Sequence, residues 1–344
     1  MSLLLLRRIE EKRPGFLAAS DLFAGTSAGG ISAMILAADD DPATGLEKAI
    51  RFWEESPVFL RQPGHALAGF AGAAPLLSNR SLQRALQNVL GDKTLEDLPH
   101  KVLVASVQLD SRAENPELRS WRPRSLSNLD VEKGAYLKGS AVDIAMRSAA
   151  APVIWPIHQG YVDGGLFAND PSMLALARVL DERRKESTPG GHSRDVLEDI
   201  SLFSVGEGQV PHYLQTGTEN WGWRQWLFHR KRPFALLELA LNSTAEAISE
   251  QCRLLLGNQQ YYRLNPDIKP PAGRIVHMSD PVSFAKSVLR RTIAPVETMV
   301  DPLHASLQHA RAAGNTYNLS SVYLWIDKFG WRRDGTAPAP AGTA

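Results

Sequence analysis

The chain is poor in cysteine and in long apolar runs. Its single cysteine, Cys252, excludes an intrachain disulfide, and redox arguments therefore put no constraint on the compartment. No apolar run reaches the length of about 18 residues that a membrane-spanning helix needs. The leucines at residues 3–6 are too few for the core of a signal peptide, and Arg7 and Arg8 follow them at once.

The chain also lacks an excess of charge of either sign. It has 38 basic and 37 acidic residues, so its formal net charge is +1. This balance gives no electrostatic footprint for a nucleic-acid partner. A hydrophobic fraction of 44% is that of a soluble globular protein. We therefore expect a cytoplasmic protein with peripheral contact to a membrane.

Chain length and composition also bear on the number of domains. A chain of 344 residues is long enough for one large or two small domains, and no linker precedes the C-terminal tail. Residues 333–344 are rich in glycine, alanine, proline and threonine, which predicts disorder. We expect one domain over residues 1–332.

A glycine-flanked serine follows a short apolar run. Residues 25–30 read Gly-Thr-Ser-Ala-Gly-Gly directly after Leu22, Phe23 and Ala24. Glycines two before and two after Ser27 allow a sharp turn between strand and helix, which lifts the hydroxyl above the sheet. The helix predicted over residues 30–38 points its positive end at Ser27. The pattern predicts a serine nucleophile, with a structural turn as the alternative, because the pentapeptide alone is a weak signal.

An aspartate followed by two glycines is the second candidate. Residues 161–171 read Tyr-Val-Asp-Gly-Gly-Leu-Phe-Ala-Asn-Asp-Pro. Asp163 ends a predicted strand, and the glycines let the chain leave in a tight turn, so the carboxylate can face a neighbouring strand end. An Asp-Gly hairpin is the alternative. No histidine gives a convincing triad with these residues, and a histidine-dependent esterase would require one histidine to prove essential.

Together the two motifs resemble the patatin-like phospholipase family, in particular its bacterial members. The elbow of the family is matched by residues 21–30 and its acid motif by residues 162–165. Further matches lie at residues 149–156, 168–171, 202–208 and 261–266. The resemblance covers most of residues 1–330. It implies an α/β fold with three layers, α/β/α, a mostly parallel central sheet and a nucleophile elbow.

The resemblance also implies a mechanism of lipid degradation by a catalytic dyad. Ser27 attacks a fatty-acyl ester to form an acyl-enzyme, and Asp163 acts as the general base that returns the proton to the leaving alcohol. A carboxylate of reference pKa about 3.9 needs burial or a hydrogen bond to Ser27 for this work near neutral pH. The implied activity is that of a phospholipase A or lysophospholipase, and the dyad needs no metal or organic cofactor. The glycines that support the two motifs are Gly25, Gly29, Gly30, Gly164 and Gly165.

One element of the family has no match in the sequence. The family begins with a strand and a loop of pattern Asp-Gly-Gly-Gly-x-Arg-Gly, whose backbone N–H groups resemble an oxyanion hole. Residues 1–12 instead match the helix that follows this loop, and the N–H of Ala28 is the oxyanion candidate that is left. Three interpretations stay open: a start codon placed too late, a loop donated by another chain, or a true truncation. The last predicts weak or no activity, as in a patatin-like scaffold that binds lipid or regulates.

Aromatic and basic residues are mixed over residues 221–231, as in an interfacial segment. The residues that predict peripheral membrane contact are Trp221, Trp223, Trp226, Arg230 and Lys231. Packing of the tryptophans over the fold is the alternative. Residues 56–78 are expected to shape the acyl pocket, with the glycine-rich residues 64–74 as a lid or helical cap.

Apolar patterning predicts the remaining elements. Continuous apolar runs at residues 101–108 and 200–205 predict buried strands. Helices are predicted over residues 140–150, 171–184 and 233–256. The alternation favours an α/β layered fold with Ser27 and Asp163 at strand ends.

Overall fold

A computed structural model of the chain describes residues 1–56, 74–129, 136–186, 197–209, 220–228, 235–267, 317–329 and 331. The predicted lid lies outside these residues except for its last position, and so does most of the predicted acyl-pocket segment. Arg230, Lys231 and the predicted disordered tail also lie outside them.

Helices and strands alternate along the first half of the chain. The helices are α1 (Ser2–Lys12), α2 (Ala28–Ala37), α3 (Pro42–Glu54), α4 (Asn79–Leu90), α5 (Ala141–Ala149), α6 (Gly165–Ala168), α7 (Ser172–Glu186), α8 (Trp223–Phe228), α9 (Ala235–Gln260) and α10 (Ser320–Phe329). The strands are β1 (Leu22–Thr26), β2 (Lys101–Gln108), β3 (Arg122–Ser127), β4 (Tyr161–Asp163), β5 (Leu202–Val205) and β6 (Tyr261–Leu264).

Strand β2 is the centre of a four-stranded sheet. β1 pairs with its first part in parallel, β4 pairs with its last three residues in antiparallel fashion, and β3 pairs along its other edge, also antiparallel. β5 and β6 form a parallel pair of their own. The α/β class is confirmed, but parallel pairing does not extend to β3 and β4. The chain after β2 contains only a short 3-10 turn, Pro116–Leu118, and returns as a hairpin, whereas a parallel neighbour needs a long crossover.

Helices cover both faces of this sheet. On one face Ser106 of β2 donates a hydrogen bond to the Arg147 carbonyl of α5 over 2.9 Å. On the other, Thr26 of β1 donates to the Ala168 carbonyl of α6 over 2.6 Å. Because side chains alternate along a strand, α2 and α5 lie on the Ser106 face, while α6 and α7 lie on the Thr26 face. The expected three layers are therefore present.

The apolar run of β2 lies in the core, whereas the strand predicted over residues 200–205 spans Leu202–Val205 and is mostly only partly buried. Val102, Leu103, Val104 and Ala105 of β2 are fully buried, and this strand has the predicted bounds. In α1 the apolar residues Leu4, Leu5 and Ile9 pack inward. Cys252 is buried in a smaller cluster, where it packs against apolar side chains. Among the described helices, none combines the length and apolar character that crossing a bilayer requires.

Candidate active site

Ser27 lies alone between a strand and a helix. β1 ends at Thr26 and α2 begins at Ala28, so the turn is made by one residue with φ 55° and ψ −123°. Positive φ is strained for a residue with a side chain, and such strain is concentrated at functional sites. The serine is therefore held in the elbow geometry that its flanking glycines predict.

Only one of the two glycines of the pentapeptide is required by close packing. A Cβ on Gly25 would lie 2.2 Å from the Gly29 carbonyl oxygen and 2.6 Å from the Gly30 nitrogen, so only glycine fits. A Cβ on Gly29 would have no atom within 4 Å. The tight turn thus depends on Gly25, where β1 meets the start of α2.

A buried serine of α5 holds the elbow in place. The Ser27 N–H donates to Ser148 Oγ over 3.0 Å, and Ser148 Oγ donates to the Ala105 carbonyl of β2 over 2.7 Å. Ser148 is fully buried, and it approaches α2 so closely that a Cβ on Gly30 would lie 2.8 Å from its hydroxyl. Sequence reasoning missed this residue, because a serine within a helical pattern gives no signal of a distant partner.

Asp163 is brought to Ser27 by strand pairing. β1 and β4 lie along the same edge of β2, where Thr26 pairs with Ala105 and Asp163 pairs with Ser106. A Cβ on Gly164 would lie 2.3 Å from the Ala105 carbonyl carbon, so the chain after Asp163 passes directly against β2. α6 begins at once after this glycine, which excludes the alternative of an Asp-Gly hairpin.

The carboxyl group of Asp163 is buried and hydrogen-bonded. The residue is 6% exposed, and its Oδ1 accepts the Gly165 N–H over 2.7 Å. The side chain of Ser27 is close enough to favour its charged form. Burial raises the pKa of Asp163 to about 6, against a smaller lowering by the Ser27 side chain and the Gly165 N–H. Above that pH the carboxylate can accept the Ser27 proton.

The two histidines among the described residues have other partners. His158 Nε2 lies 2.8 Å from Asp143 Oδ1, and His100 Nε2 lies 3.1 Å from the Asp40 carbonyl oxygen. The other histidines of the sequence lie outside the described residues. Within the described part of the chain, no three histidine, cysteine or acidic side chains are grouped so that they could hold a metal ion.

The N-terminus of α2 presents hydrogen-bond donors beside Ser27. The Ile31 N–H donates to the Ser27 carbonyl over 3.0 Å. The N–H groups of the preceding turn, those of Ala28, Gly29 and Gly30, have no acceptor within the helix, as at any helix start. Ala28, the oxyanion candidate, is therefore placed at the positive end of α2 and next to the hydroxyl.

A buried ion pair anchors the acid motif to the second sheet. Asp170 accepts hydrogen bonds from Arg263 Nη1 of β6 over 2.6 Å and from the Ser172 N–H over 2.9 Å. The same arginine nitrogen donates to Ser204 of β5 over 2.7 Å. These contacts fix Asp170, at the end of the segment that follows Asp163, against β5 and β6. The sequence placed Asp170 and Arg263 in two separate family-like segments but did not predict this contact.

Comparison with known proteins agrees with these features. Residues 2–176 match the family model described as "Patatin-like phospholipase". The chain belongs to the patatin-like phospholipase family. This family match contains β1 to β4, both dyad candidates and the helices around them.

The sequence identity to individual relatives is below 30%. The chain is 28% identical to "Protein teg" of Priestia megaterium and 27% identical to "Putative sporulation hydrolase CotR" of Bacillus subtilis, each over 64% of this chain and 63% of the relative. It is 27% identical to the "cGAMP-activated phospholipase" of Pseudomonas aeruginosa, over 77% of this chain and 73% of the relative. The chain thus spans less than two thirds of the first two relatives.

The predicted interfacial segment is described only in its first part. α8 contains Trp223, which is 67% exposed. Trp221 and Trp226 contact each other edge to face, with ring centroids 5.2 Å apart. Membrane contact through this segment stays a prediction, since its basic end lies outside the described residues.

Proposed function

We propose that the chain is a lipid acyl hydrolase of the phospholipase A or lysophospholipase type. Its catalytic groups are Ser27 as nucleophile and Asp163 as general base. The observation that carries this proposal is a serine on a strained elbow whose side chain interacts with a buried carboxyl group, the pKa of which is raised to about 6. A base with a pKa near the working pH is the most effective in proton transfer.

The reaction needs two uses of the same base. Ser27 Oγ attacks the acyl carbonyl carbon as its proton passes to Asp163. The tetrahedral intermediate then collapses, the bond between the acyl carbon and the alcohol oxygen breaks, and Asp163 returns the proton to the departing alcohol. In the second half, Asp163 takes a proton from water, which attacks the acyl-serine ester, and Ser27 regains its proton as the fatty acid leaves. Esters suit this scheme, because a dyad has no separate strong acid for an amine leaving group.

The negative charge that develops on the carbonyl oxygen in the tetrahedral intermediate requires hydrogen-bond donors. In this proposal the Ala28 N–H supplies one of them, assisted by the positive end of α2. Its place directly after Ser27 in the elbow supports the role. Donors at such sites are typically worth about 100- to 1000-fold in rate.

The rate should depend on pH through Asp163. Below its pKa of about 6 the carboxyl group is protonated and cannot accept the Ser27 proton, so kcat/KM is expected to fall about tenfold per pH unit from there down. Because the folded pKa is raised above the unfolded value, this group favours folding most at low pH and loses that contribution as pH rises through about 6.

Its titration therefore lowers activity in acid without itself unfolding the protein. The measurement is the pH profile of kcat/KM on a chromogenic fatty-acyl ester, with circular dichroism at each pH as the control for folding. A profile that stays flat between pH 4 and 8 would contradict a raised pKa on the catalytic base.

We also propose that the segment around α8 makes peripheral contact with membranes. The exposed indole of Trp223 and the nearby bases of the sequence support it. Replacing Trp223 and Trp226 by alanine is expected to weaken cosedimentation with anionic phospholipid vesicles while the thermal unfolding temperature changes little. Unchanged vesicle binding would mean that these tryptophans only pack on the protein.

The test of the proposed function combines product release with covalent labelling. The chain is incubated with phospholipid vesicles and with a chromogenic fatty-acyl ester, and free fatty acid is measured. A fluorophosphonate probe, followed by peptide mass spectrometry, reports whether Ser27 is the reactive residue. Fatty-acid release with labelling of Ser27 supports the hydrolase. Absence of both would favour a patatin-like scaffold that binds lipid or regulates another protein.

A further inference from the structure

A polar cavity lies beside the dyad, and the proposed mechanism makes no use of it. Its volume is about 480 Å³, and the residues that line it are Gln108, Arg112, Tyr136, Arg147, Gln159 and Tyr161. We call it the arginine cavity. Among its described lining residues two are cationic and none carries a carboxylate.

Strand register places the arginine cavity close to the base. Tyr161 lies two residues before Asp163 in β4, so both side chains point to the same face of the sheet. At a rise of about 3.3 Å per residue the two positions are about 7 Å apart along the strand. Gln108 pairs with Tyr161 as Ser106 pairs with Asp163. Arg147 belongs to α5, the helix whose Ser148 holds the elbow.

The guanidinium of Arg147 is held in place by neutral partners. It lies over the Tyr161 ring, with its carbon 4.6 Å from the ring centroid, and its Nε donates to Gln159 Oε1 over 3.0 Å. These contacts orient the planar group without neutralising it. Among the described residues, Arg147 forms no ion pair with a carboxylate.

Two carboxylates near these arginines in the described sequence have other partners. Asp143, one turn before Arg147 on α5, is bound to His158. Asp110 is bound by Arg119 and accepts the backbone N–H of Arg112 over 2.9 Å. Arg112 lines the cavity at an exposed position, and its side chain brings a second positive charge there. A preorganised guanidinium beside a second cation is the arrangement that proteins use to bind phosphate.

Two tyrosine hydroxyls add hydrogen-bond donors. The hydroxyl oxygens of Tyr136 and Tyr161 are 3.3 Å apart. Burial, and then the hydrogen bond to Tyr161, raise the pKa of Tyr136 to about 12, so this hydroxyl keeps its proton at neutral pH. Two hydroxyls that share one hydrogen bond have one further proton to donate. The cavity thus offers donors and positive charge, which match the oxygens of a phosphate group.

We propose that the arginine cavity binds the phosphate of a phospholipid headgroup while the ester of the same molecule lies at Ser27. The glycerol backbone separates these two groups by only a few bonds, which agrees with the short distance between the cavity and Asp163. This inference rests on the proposed function, because it assigns the headgroup class that the Ser27 and Asp163 site accepts.

The experiment compares two substrates that differ in phosphate. The kcat/KM is measured for a lysophosphatidylcholine and for a monoacylglycerol of the same acyl chain, both in mixed micelles of a neutral detergent so that surface charge does not vary. The test variant is Arg112→Gln with Arg147→Gln, and the matched control is Arg253→Gln, a surface arginine of α9 paired with Glu250. Binding of sn-glycerol 3-phosphate and of inorganic phosphate is measured separately by calorimetry.

The phospholipid-to-monoacylglycerol ratio of kcat/KM is expected to fall about 10- to 100-fold in the double variant, the range for lost hydrogen bonds to a charged group. It should not change in Arg253→Gln. Binding of sn-glycerol 3-phosphate should be lost in the double variant as well. An unchanged ratio overturns the proposal, and phosphate binding that accompanies it would mark a site for free phosphate instead.

Failure of the proposed function gives a different result. In that case the parent chain hydrolyses neither substrate, and calorimetry alone decides about the cavity. Binding of sn-glycerol 3-phosphate that is lost in the double variant then supports a phosphate site on a non-catalytic protein. No binding to the parent chain overturns the assignment.

Discussion

Replacing Ser27 by alanine is expected to lower kcat for fatty-acyl ester hydrolysis by about 10⁴- to 10⁶-fold, the range seen when a serine nucleophile is removed. The reason is geometric as well as chemical, because Ser27 is the residue that makes the turn of the elbow. Ser32→Ala is the matched control: this serine lies in α2, the helix that follows Ser27, and its hydroxyl donates to the Ala28 carbonyl over 3.0 Å. It should keep most of the activity.

The companion variant, Asp163→Asn, separates catalysis from stability. Loss of a general base is expected to cost about 10²- to 10⁴-fold in kcat. The same change removes a carboxylate whose burial is unfavourable, since its pKa is raised to about 6. At pH 8 the variant should therefore unfold at a higher denaturant concentration than the parent, with a gain of roughly 2 to 3 kcal/mol.

These two readouts exclude a merely structural role. A structural residue would lose stability together with activity, whereas Asp163→Asn should gain the first and lose the second. Hydrolysis that survives in Ser27→Ala would overturn the dyad and point to a different nucleophile. An equal loss of kcat in Ser27→Ala and Ser32→Ala would show that the substitutions disturb the structure of the elbow, and that the effect is not specific to the Ser27 hydroxyl.

Local patterns predicted the parts of this site that depend on neighbouring residues. The glycine spacing around Ser27 predicted the elbow, because a turn made in one residue leaves no room for a side chain at Gly25. The apolar run of β2 predicted a buried strand with the observed bounds. Asp163 was predicted to need burial or a hydrogen bond to Ser27 for a working pKa, and in the structure burial raises this pKa to about 6.

What the sequence did not predict depends on residues far apart in the chain. Ser148 contacts Ser27 across 121 positions, and Arg263 contacts Asp170 across 93. A polar residue in a helix or an edge strand looks the same in the sequence whether its partner is water or a distant backbone group. The antiparallel pairing of β3 and β4 is similar, since strand direction depends on how the chain returns and not on strand composition.

The start of α2 was misplaced for a related reason. The sequence predicted a helix over residues 30–38, after the glycine-flanked turn. The structure begins α2 at Ala28, so Gly29 and Gly30 lie inside the first turn. Gly30 is glycine because Ser148 packs against it, with its hydroxyl 2.8 Å from where a Cβ would be. Packing against α5 therefore outweighs intrinsic propensity at this position.

Gly25→Ala is expected to have the largest effect on stability of the changes around the elbow. The added methyl group would lie 2.2 Å from the Gly29 carbonyl oxygen and 2.4 Å from its carbonyl carbon. These are backbone atoms, so relief requires that β1 and α2 move apart and that the hydrogen bond from Ser27 to Ser148 break. We expect a loss of about 3 kcal/mol or more in the free energy of unfolding, the upper end for overpacking.

Gly29→Ala, four positions away in the same motif, is the control for this argument. A Cβ there would have no atom within 4 Å, and alanine is favoured over glycine within a helix by up to about 1 kcal/mol. Its free energy of unfolding in urea should equal or exceed that of the parent chain. If both variants lost stability equally, the elbow would depend on glycine flexibility at each position. Loss in Gly25→Ala alone would show that the motif is fixed by the close approach of two backbone segments.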